Sequence, residues 1–255
     1  MRELLRQLRS WAGRGKRAVL RRWYRRGGRG RERLCPVCGS HLRRFQAVRP
    51  RPGVEALCPV CLTQDRHRLA MLYFTRRTDL FDGRPKRLLH VAPEPEFTRV
   101  LRGVPDLEYL SVDVCGPTML RTDLTNLPLP DDRFDVVYCA QVLEHIADDR
   151  RALAELYRVL KPGGWMLLQV PVTGDTTRED PQLTDPALRE RLFGHHDHFR
   201  ACGRDYADRI REAGFVVTLE PYGQELPVEE VVSLGLSNVP EIFFCRKPQC
   251  PEAKP

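Results

Sequence analysis

The sequence predicts an α/β protein with a doubly wound, mostly parallel sheet, preceded by a small cysteine-rich module. Three observations carry this. From residue 86 onward, short apolar runs alternate with amphipathic helical stretches, the pattern of consecutive βαβ units. Two C-x-x-C knuckles, Cys35–Cys38 and Cys58–Cys61, stand before that region. The chain has 255 residues, 42% hydrophobic and 30% charged, enough for one large domain and an appendage.

Residues 1–33 form an arginine-rich tail. Leu4, Leu8, Trp11, Val19 and Trp23 have helix-compatible spacing, interrupted by Gly13 and Gly15 and ended by Gly27, Gly28 and Gly30. Residues 34–62 form the cysteine module, and 63–85 a helical linker. Within it, Leu69, Leu72 and Tyr73 share one face of a helix over 64–80, and Arg66, Arg68 and Arg76 another. The α/β domain spans 86–247. Its strands are expected at 87–92, 109–112, 134–139, 165–170, 215–219 and 241–245. Helices are expected at 96–102, 149–160 and 205–213, the second stopped by Pro162-Gly163-Gly164 and the third by Gly214. A stretch from 171 to 203 has no clear periodicity, which in a compact domain marks a lid or binding loop.

Composition narrows the setting. Residues 1–34 hold thirteen basic residues against Glu3 and Glu32, a net +11 within a chain total of +8, so the remaining residues sum to −3. The basicity belongs to the tail, which reads as a solvated segment or as a patch for anionic lipid or nucleic acid. No apolar run approaches the ~18–20 residues of a membrane span. Nor is there a signal peptide pattern, so a cytoplasmic location is expected. Nine cysteines, an odd number, argue against a disulfide framework. Cys115, Cys139, Cys202, Cys245 and Cys250 are scattered and read as ordinary core or surface residues.

Cys35-Pro36-Val37-Cys38-Gly39 and Cys58-Pro59-Val60-Cys61 are separated by nineteen residues. Each knuckle aims two sulfurs at one point, and four thiolates close a tetrahedral sphere, so the module is expected to be a zinc ribbon with structural Zn²⁺. It serves either as a staple or as a contact for nucleic acid or protein. Asp113, ending the second strand, lies about twenty residues past the first. A carboxylate there can accept both ribose hydroxyls of a bound nucleoside, or simply cap the strand.

Further motifs follow in order: Thr122-Asp123-Leu124, Asn126-Leu127-Pro128-Leu129-Pro130, Phe134-Asp135-Val136-Val137-Tyr138, Val142-Leu143-Glu144-His145-Ile146 and Leu160-Lys161-Pro162-Gly163-Gly164. In this order and spacing, residues 87–170 resemble a class I AdoMet-dependent methyltransferase of the type-11 group. The resemblance implies a Rossmann-like, seven-stranded sheet whose last strand is antiparallel, with AdoMet as cofactor. It places Asp113 at the ribose, Asp123 at the adenine amino group with Leu124 beside it, and the backbone of Cys139, Ala140 and Gln141 along the methionine end. The chain departs from that family at the first loop, where His90-Val91-Ala92-Pro93-Glu94-Pro95-Glu96 replaces a glycine-rich segment. Pro93 and Pro95 donate no N–H. Glu94 is expected to compensate with a carboxylate toward the methionine ammonium, or the loop is degenerate.

Proton acceptors are sought in two places. His145 follows the fourth strand, and Gly194-His195-His196-Asp197-His198 lies in the 171–203 stretch. His145, His196, Asp197 and His198 are the acid–base candidates, with metal binding or a structural turn as other readings of the histidine run. Ala140-Gln141-Val142-Leu143 after the fourth strand is not the Asn/Asp-Pro-Pro-aromatic tetrad of amine methylation, and no Pro-Cys nucleophile stands there. With the motifs of the resemblance, the mildly acidic body and the histidine-bearing stretch, O-methylation of a small molecule or glycan is the leading expectation. The competing readings are an RNA methyltransferase gripping its substrate through residues 1–62, and a non-catalytic zinc-ribbon module fused to a degenerate nucleoside fold.

Overall fold

A computed structural model describes residues 30–48, 51–236 and 241–249. Most of the 1–33 tail, with Trp11 and Trp23, and Cys250 lie outside the described residues. The chain divides into two units, the first comprising residues 1–77 and 225–239 and the second 78–224 and 240–255.

In the first unit, β1 (Arg33–Cys35) and β2 (Ser40–Leu42) form an antiparallel hairpin, as do β3 (Gln46–Val48) and β4 (Arg51–Leu57). The first knuckle is the turn of the β1–β2 hairpin. There the Gly39 amide donates to the Cys35 carbonyl at 2.8 Å with φ of 66°, a conformation that glycine adopts without strain. The helix α1 (Asp65–Arg77) buries Leu69, Leu72, Tyr73 and Phe74. Arg68 does not share a face with half-buried Arg66 and exposed Arg76, as the helical spacing suggested. It is fully buried. Its guanidinium donates to the carbonyls of Ala56, Thr63, Leu234 and Gly235 at 2.7–3.1 Å and lies 3.9 Å over the Phe45 ring. Four carbonyls replace the water that a buried guanidinium loses. The segment expected as a linker over 63–85 is thus split, its helix built into the cysteine unit together with residues 225–236.

In the second unit come β5 (Lys86–Val91), α2 (Pro95–Leu101), β6 (Leu107–Asp113), β7 (Leu120–Arg121), β8 (Phe134–Ala140), α3 (Asp149–Val159) and β9 (Leu160–Gln169). There follow β10 (Arg178–Glu179), α4 (Pro186–Phe193), β11 (Arg200–Ala201), α5 (Tyr206–Glu212) and β12 (Val216–Glu220). After α6 (Val228–Leu234), which belongs to the first unit, β13 (Ile242–Arg246) returns to the sheet. The seven strands run in the order β12-β13-β9-β8-β5-β6-β7. Pairs from β9 to β7 are parallel, and β13 is antiparallel to both neighbours. The crossover between β5 and β8 is the switch point at which such sheets bind ligands beyond the strand carboxyl ends.

One face of the sheet buries Leu89, Val91, Val112, Val137, Cys139, Met166 and Leu168 against Leu153 and Leu156 of α3 and Ile210 of α5. Two expectations are corrected here. The helix ends at Val159, before Pro162-Gly163-Gly164, and these three residues lie inside β9, in a bulge opposite Asp135. The 171–203 stretch is not a plain loop. It contains α4 and the antiparallel pair β10–β11, whose two-residue strands leave no periodicity to read.

Candidate active site

The carboxyl ends of β5, β6 and β8 bring three of the expected cofactor elements to one sheet edge. Asp113 is the last residue of β6. Its Oδ1 accepts from the Cys115 amide at 3.2 Å, and no described protein donor is bonded to Oδ2. Ala92 leaves β5 at φ of 47° and Gln141 leaves β8 at φ of 57°. Both occupy the left-handed region that non-glycine residues enter at some cost, so the backbone turns away sharply at both strand ends. The Gln141 amide donates to the Gln169 carbonyl at 2.7 Å. The side chains of Cys139 and Ala140 are buried, which leaves their backbone as the part that can line a ligand. Asp123 is exposed and closes an Asx turn by accepting from the Thr125 amide and hydroxyl at 2.8 and 2.9 Å, while Leu124 is turned into the core.

Glu94 precedes α2, whose Pro95 begins the helix, and its side chain makes no cap bond. A polar chain behind it aims it elsewhere. The Thr98 and Tyr109 hydroxyls lie 3.1 Å apart, the Tyr109 hydroxyl 2.9 Å from His90 Nδ1, and His90 Nε2 3.3 Å from the Glu94 carboxyl; an ionised Glu94 accepts only, so it selects the tautomer with the proton on Nε2. His90 is fully buried, with the Tyr138 ring centroid 4.9 Å away, so its ring has little freedom to swing. Residue reading missed His90. Its place in an apolar strand, four residues before Glu94, was the available signal.

On the acceptor side, His145 stands in a short 3₁₀ turn after β8, and His195 to His198 form the turn after α4. Gly194 caps that helix at φ of 88°, the left-handed conformation that starts the turn. His145 Nδ1 lies 3.0 Å from Asp197 Oδ1, which also contacts His195 Nδ1. His198 Nδ1 donates to the Phe193 carbonyl at 2.9 Å, and its ring meets His145 edge-on at 4.6 Å. Burial lowers the pKa of both His145 and His198 below the ordinary histidine value, so their neutral, proton-accepting forms dominate at neutral pH. His196 is exposed and stacks on His195 at 4.2 Å. It stands outside the group of donors gathered around Asp197.

Buried Arg200 holds this arrangement. It donates to the carbonyls of Leu143, Ile146 and Ala147 at 2.6–2.9 Å, and the Phe199 amide donates to the Glu144 carbonyl at 2.8 Å. Asp149 and Glu179 hold Arg200 and Arg209 in turn. Hydrogen bonds from Arg209 keep the Glu179 carboxyl at about 2, so the clamp stays ionised throughout the physiological range.

In the first unit, Cys35 Sγ lies 3.6 Å from Cys61 Sγ and Cys38 Sγ 3.9 Å from Cys58 Sγ. Four ligands about 2.3 Å from one zinc ion are roughly 3.8 Å apart, so the sulfurs fit such an ion. The Thr63 hydroxyl sits 2.9 Å from Cys61 Sγ.

Residues 82–168 match the family model described as a methyltransferase domain. The match begins just before β5 and ends within β9 of the seven-stranded sheet. A probable S-adenosylmethionine-dependent methyltransferase of Mycolicibacterium smegmatis is 43% identical over 61 residues, 23% of this chain and 24% of that protein. The ubiquinone/menaquinone biosynthesis C-methyltransferase of a Marinomonas species is 52% identical over 42 residues, 16% and 17% of the two chains. The chain thus spans under a third of the length of these curated relatives. Among solved structures, a chain of the complex between the Haloferax volcanii Trm112 methyltransferase activator and a methyltransferase aligns at TM-score 0.50 and 18% identity. The alignment covers 72% of this chain and 92% of that one. The likeness is one of fold. Among the described residues no helix is long and apolar enough to cross a membrane.

Proposed function

We propose that the protein is an AdoMet-dependent methyltransferase that methylates an oxygen of a small molecule or glycan. The observation that carries this is the sheet edge at the switch point, with Asp113, the Glu94 loop and the Gln141 turn side by side on adjacent strands, inside the segment that matches the methyltransferase domain. Bound there, AdoMet supplies a methyl group on a sulfonium, and transfer is an in-line displacement that depends on alignment. Asp113 takes the ribose hydroxyls and Glu94, held by His90, the methionine ammonium. Asp123, Leu124 and the backbone of Cys139–Gln141 flank the rest. The acceptor hydroxyl must shed a proton, and His145 on the turn after β8, with Asp197 and His198 on the turn after α4, forms the proposed proton acceptor.

Calorimetry with AdoMet and its demethylated product, followed by transfer assays on hydroxyl-bearing small molecules, glycans and RNA, tests the reading. Absence of cofactor binding overturns it, and transfer only to RNA overturns the choice of acceptor. Asp113→Ala is expected to weaken AdoMet binding by about 1–3 kcal/mol, because two ribose hydroxyls lose a charged acceptor. Unchanged affinity would mean that the nucleoside lies elsewhere. Glu94→Gln keeps the shape and removes the charge. It is expected to weaken AdoMet binding about tenfold while leaving adenosine binding unchanged, and an equal effect on both ligands would argue against an ammonium contact.

We also propose that Cys35, Cys38, Cys58 and Cys61 hold a structural Zn²⁺. The sulfur spacing supports it, and four protein ligands leave no open position for chemistry.

A further inference from the structure

The turn after α4 and the turn after β8 together carry more donor atoms than proton transfer needs. One ligand-capable atom from each of His145, His195, Asp197 and His198 lies within 4.8 Å of all the others. Asp197 Oδ1 is shared between His145 and His195. His198 gives its Nδ1 proton to the Phe193 carbonyl, which leaves the Nε2 lone pair free for a ligand role. Metal-binding histidines are oriented in this way, one ring nitrogen held by a carbonyl and the other presented to the ion. The His145 and His195 rings are 6.0 Å apart and those of His195 and His198 5.3 Å. Two imidazoles therefore share one carboxylate oxygen, with the third ring beside them.

The frame is built independently of any ion. Arg200, 2% exposed, and the Phe199 amide tie residues 143–147 to the two residues that follow His198. The His198 amide closes its turn on the His195 carbonyl at 3.2 Å. Donors brought from two turns some fifty residues apart in sequence are thus held before a ligand arrives. The carboxylate serves two of the imidazoles, whereas a cation at the centre of the cluster would bond all four groups.

We propose that His145, His195, Asp197 and His198 bind one divalent transition-metal ion of the zinc class. Imidazole nitrogens with a single carboxylate favour Zn²⁺, Co²⁺ or Ni²⁺ over Mg²⁺ and Ca²⁺, which prefer oxygen. The site is separate from the four cysteines, which lie in the other unit. Binding of the ion does not depend on the methyltransferase reading. Where that reading also holds, the ion would polarise the acceptor hydroxyl and ease loss of its proton.

The test uses the full chain, dialysed against a mild chelator so that the tightly held thiolate metal remains. Titration with Co²⁺ is expected to bind one ion per chain, with visible ligand-field bands and no near-ultraviolet thiolate-to-metal band. Zn²⁺ should displace it, and Mg²⁺ should not. His198→Ala and His145→Ala are expected to weaken Co²⁺ binding by about 100-fold or more, a loss at least as large as second-shell mutations cause. His195→Ala changes an exposed side chain, so it keeps the test valid should the other variants fold poorly, and it too should weaken binding at least tenfold. His196→Ala should bind as wild type does. No ion bound at millimolar Co²⁺, or equal binding by wild type and His195→Ala, would overturn the proposal. Calorimetry with AdoMet on the same samples separates the two readings. Cofactor binding without Co²⁺ binding removes only the metal site, and Co²⁺ binding without cofactor binding removes only the methyltransferase.

Discussion

Full-length protein carrying Cys58→Ser is expected to lose its tightly held zinc and, with it, the folded first unit. Three thiolates and a hydroxyl make a poor site, and in small zinc modules the binding energy, about 10–16 kcal/mol, is largely folding energy. The effect should extend beyond residues 34–62. Burial lowers the pKa of the Arg68 guanidinium, and the cysteine cluster and Asp65 oppose that shift. The guanidinium bonds Ala56 and Thr63 on one side of it and Leu234 and Gly235 on the other. A loss of the metal removes the anionic neighbour that makes a buried cation tolerable. Hydrogen exchange should therefore speed up together over 34–77 and 225–236, while the sheet from β5 to β13 keeps its protection. Wild-type protein should retain about one zinc per chain after mild chelation. A variant with unchanged zinc content and unchanged exchange in both segments would exclude the four-cysteine site as the staple of this unit.

The reach of the sequence is clearest where chemistry is local. Six strands of the main sheet were readable because each is an apolar run bounded by turn residues. The seventh, Leu120–Arg121, has two residues and no periodicity to detect. Four cysteines in two knuckles specify their own meeting point. Arg68 looked like one more arginine in an arginine-rich chain. Its burial depends on carbonyls contributed 166 and 167 residues later, which no helical pattern records. The same is true of the histidines. The run from His195 to His198 was conspicuous, but the meeting of His145 with Asp197 is set by Arg200 binding three carbonyls of the other turn. His198 is anchored to Phe193 and His196 lies on the His195 ring, a difference that the sequence alone could not show. The first loop is a different case. Its prolines were legible as a departure from a glycine-rich pattern. The compensation is a tertiary relay through Thr98, Tyr109 and His90.

His198→Ala is expected to lower the rate of methyl transfer by roughly 100-fold while AdoMet affinity barely moves. The residue stands on the turn after α4, whereas the proposed cofactor contacts stand on β6 and β8 and in the turns after β5, β7 and β8, so a loss confined to turnover is the signature of an acceptor-side group. Its role follows from its hydrogen bond and its burial. The Phe193 carbonyl holds the Nδ1 proton at 2.9 Å, so the opposite nitrogen is the one that can accept from a hydroxyl or hold an ion. Burial favours the neutral ring, and only a neutral ring can do either. His198→Gln offers a test against a merely structural part, since an amide can donate to the same carbonyl but cannot take up a proton. If the histidine only braces its turn, glutamine should restore most of the rate. If it handles the acceptor's proton, directly or through a bound ion, the glutamine variant should fold as wild type does and remain as slow as alanine. His196→Ala completes the comparison, because its ring lies on His195 outside the donor group and its removal should cost less than His198→Ala by at least about tenfold. Equal losses in the two alanine variants, or a loss of AdoMet affinity matching the loss of rate, would move the proton acceptor away from this turn.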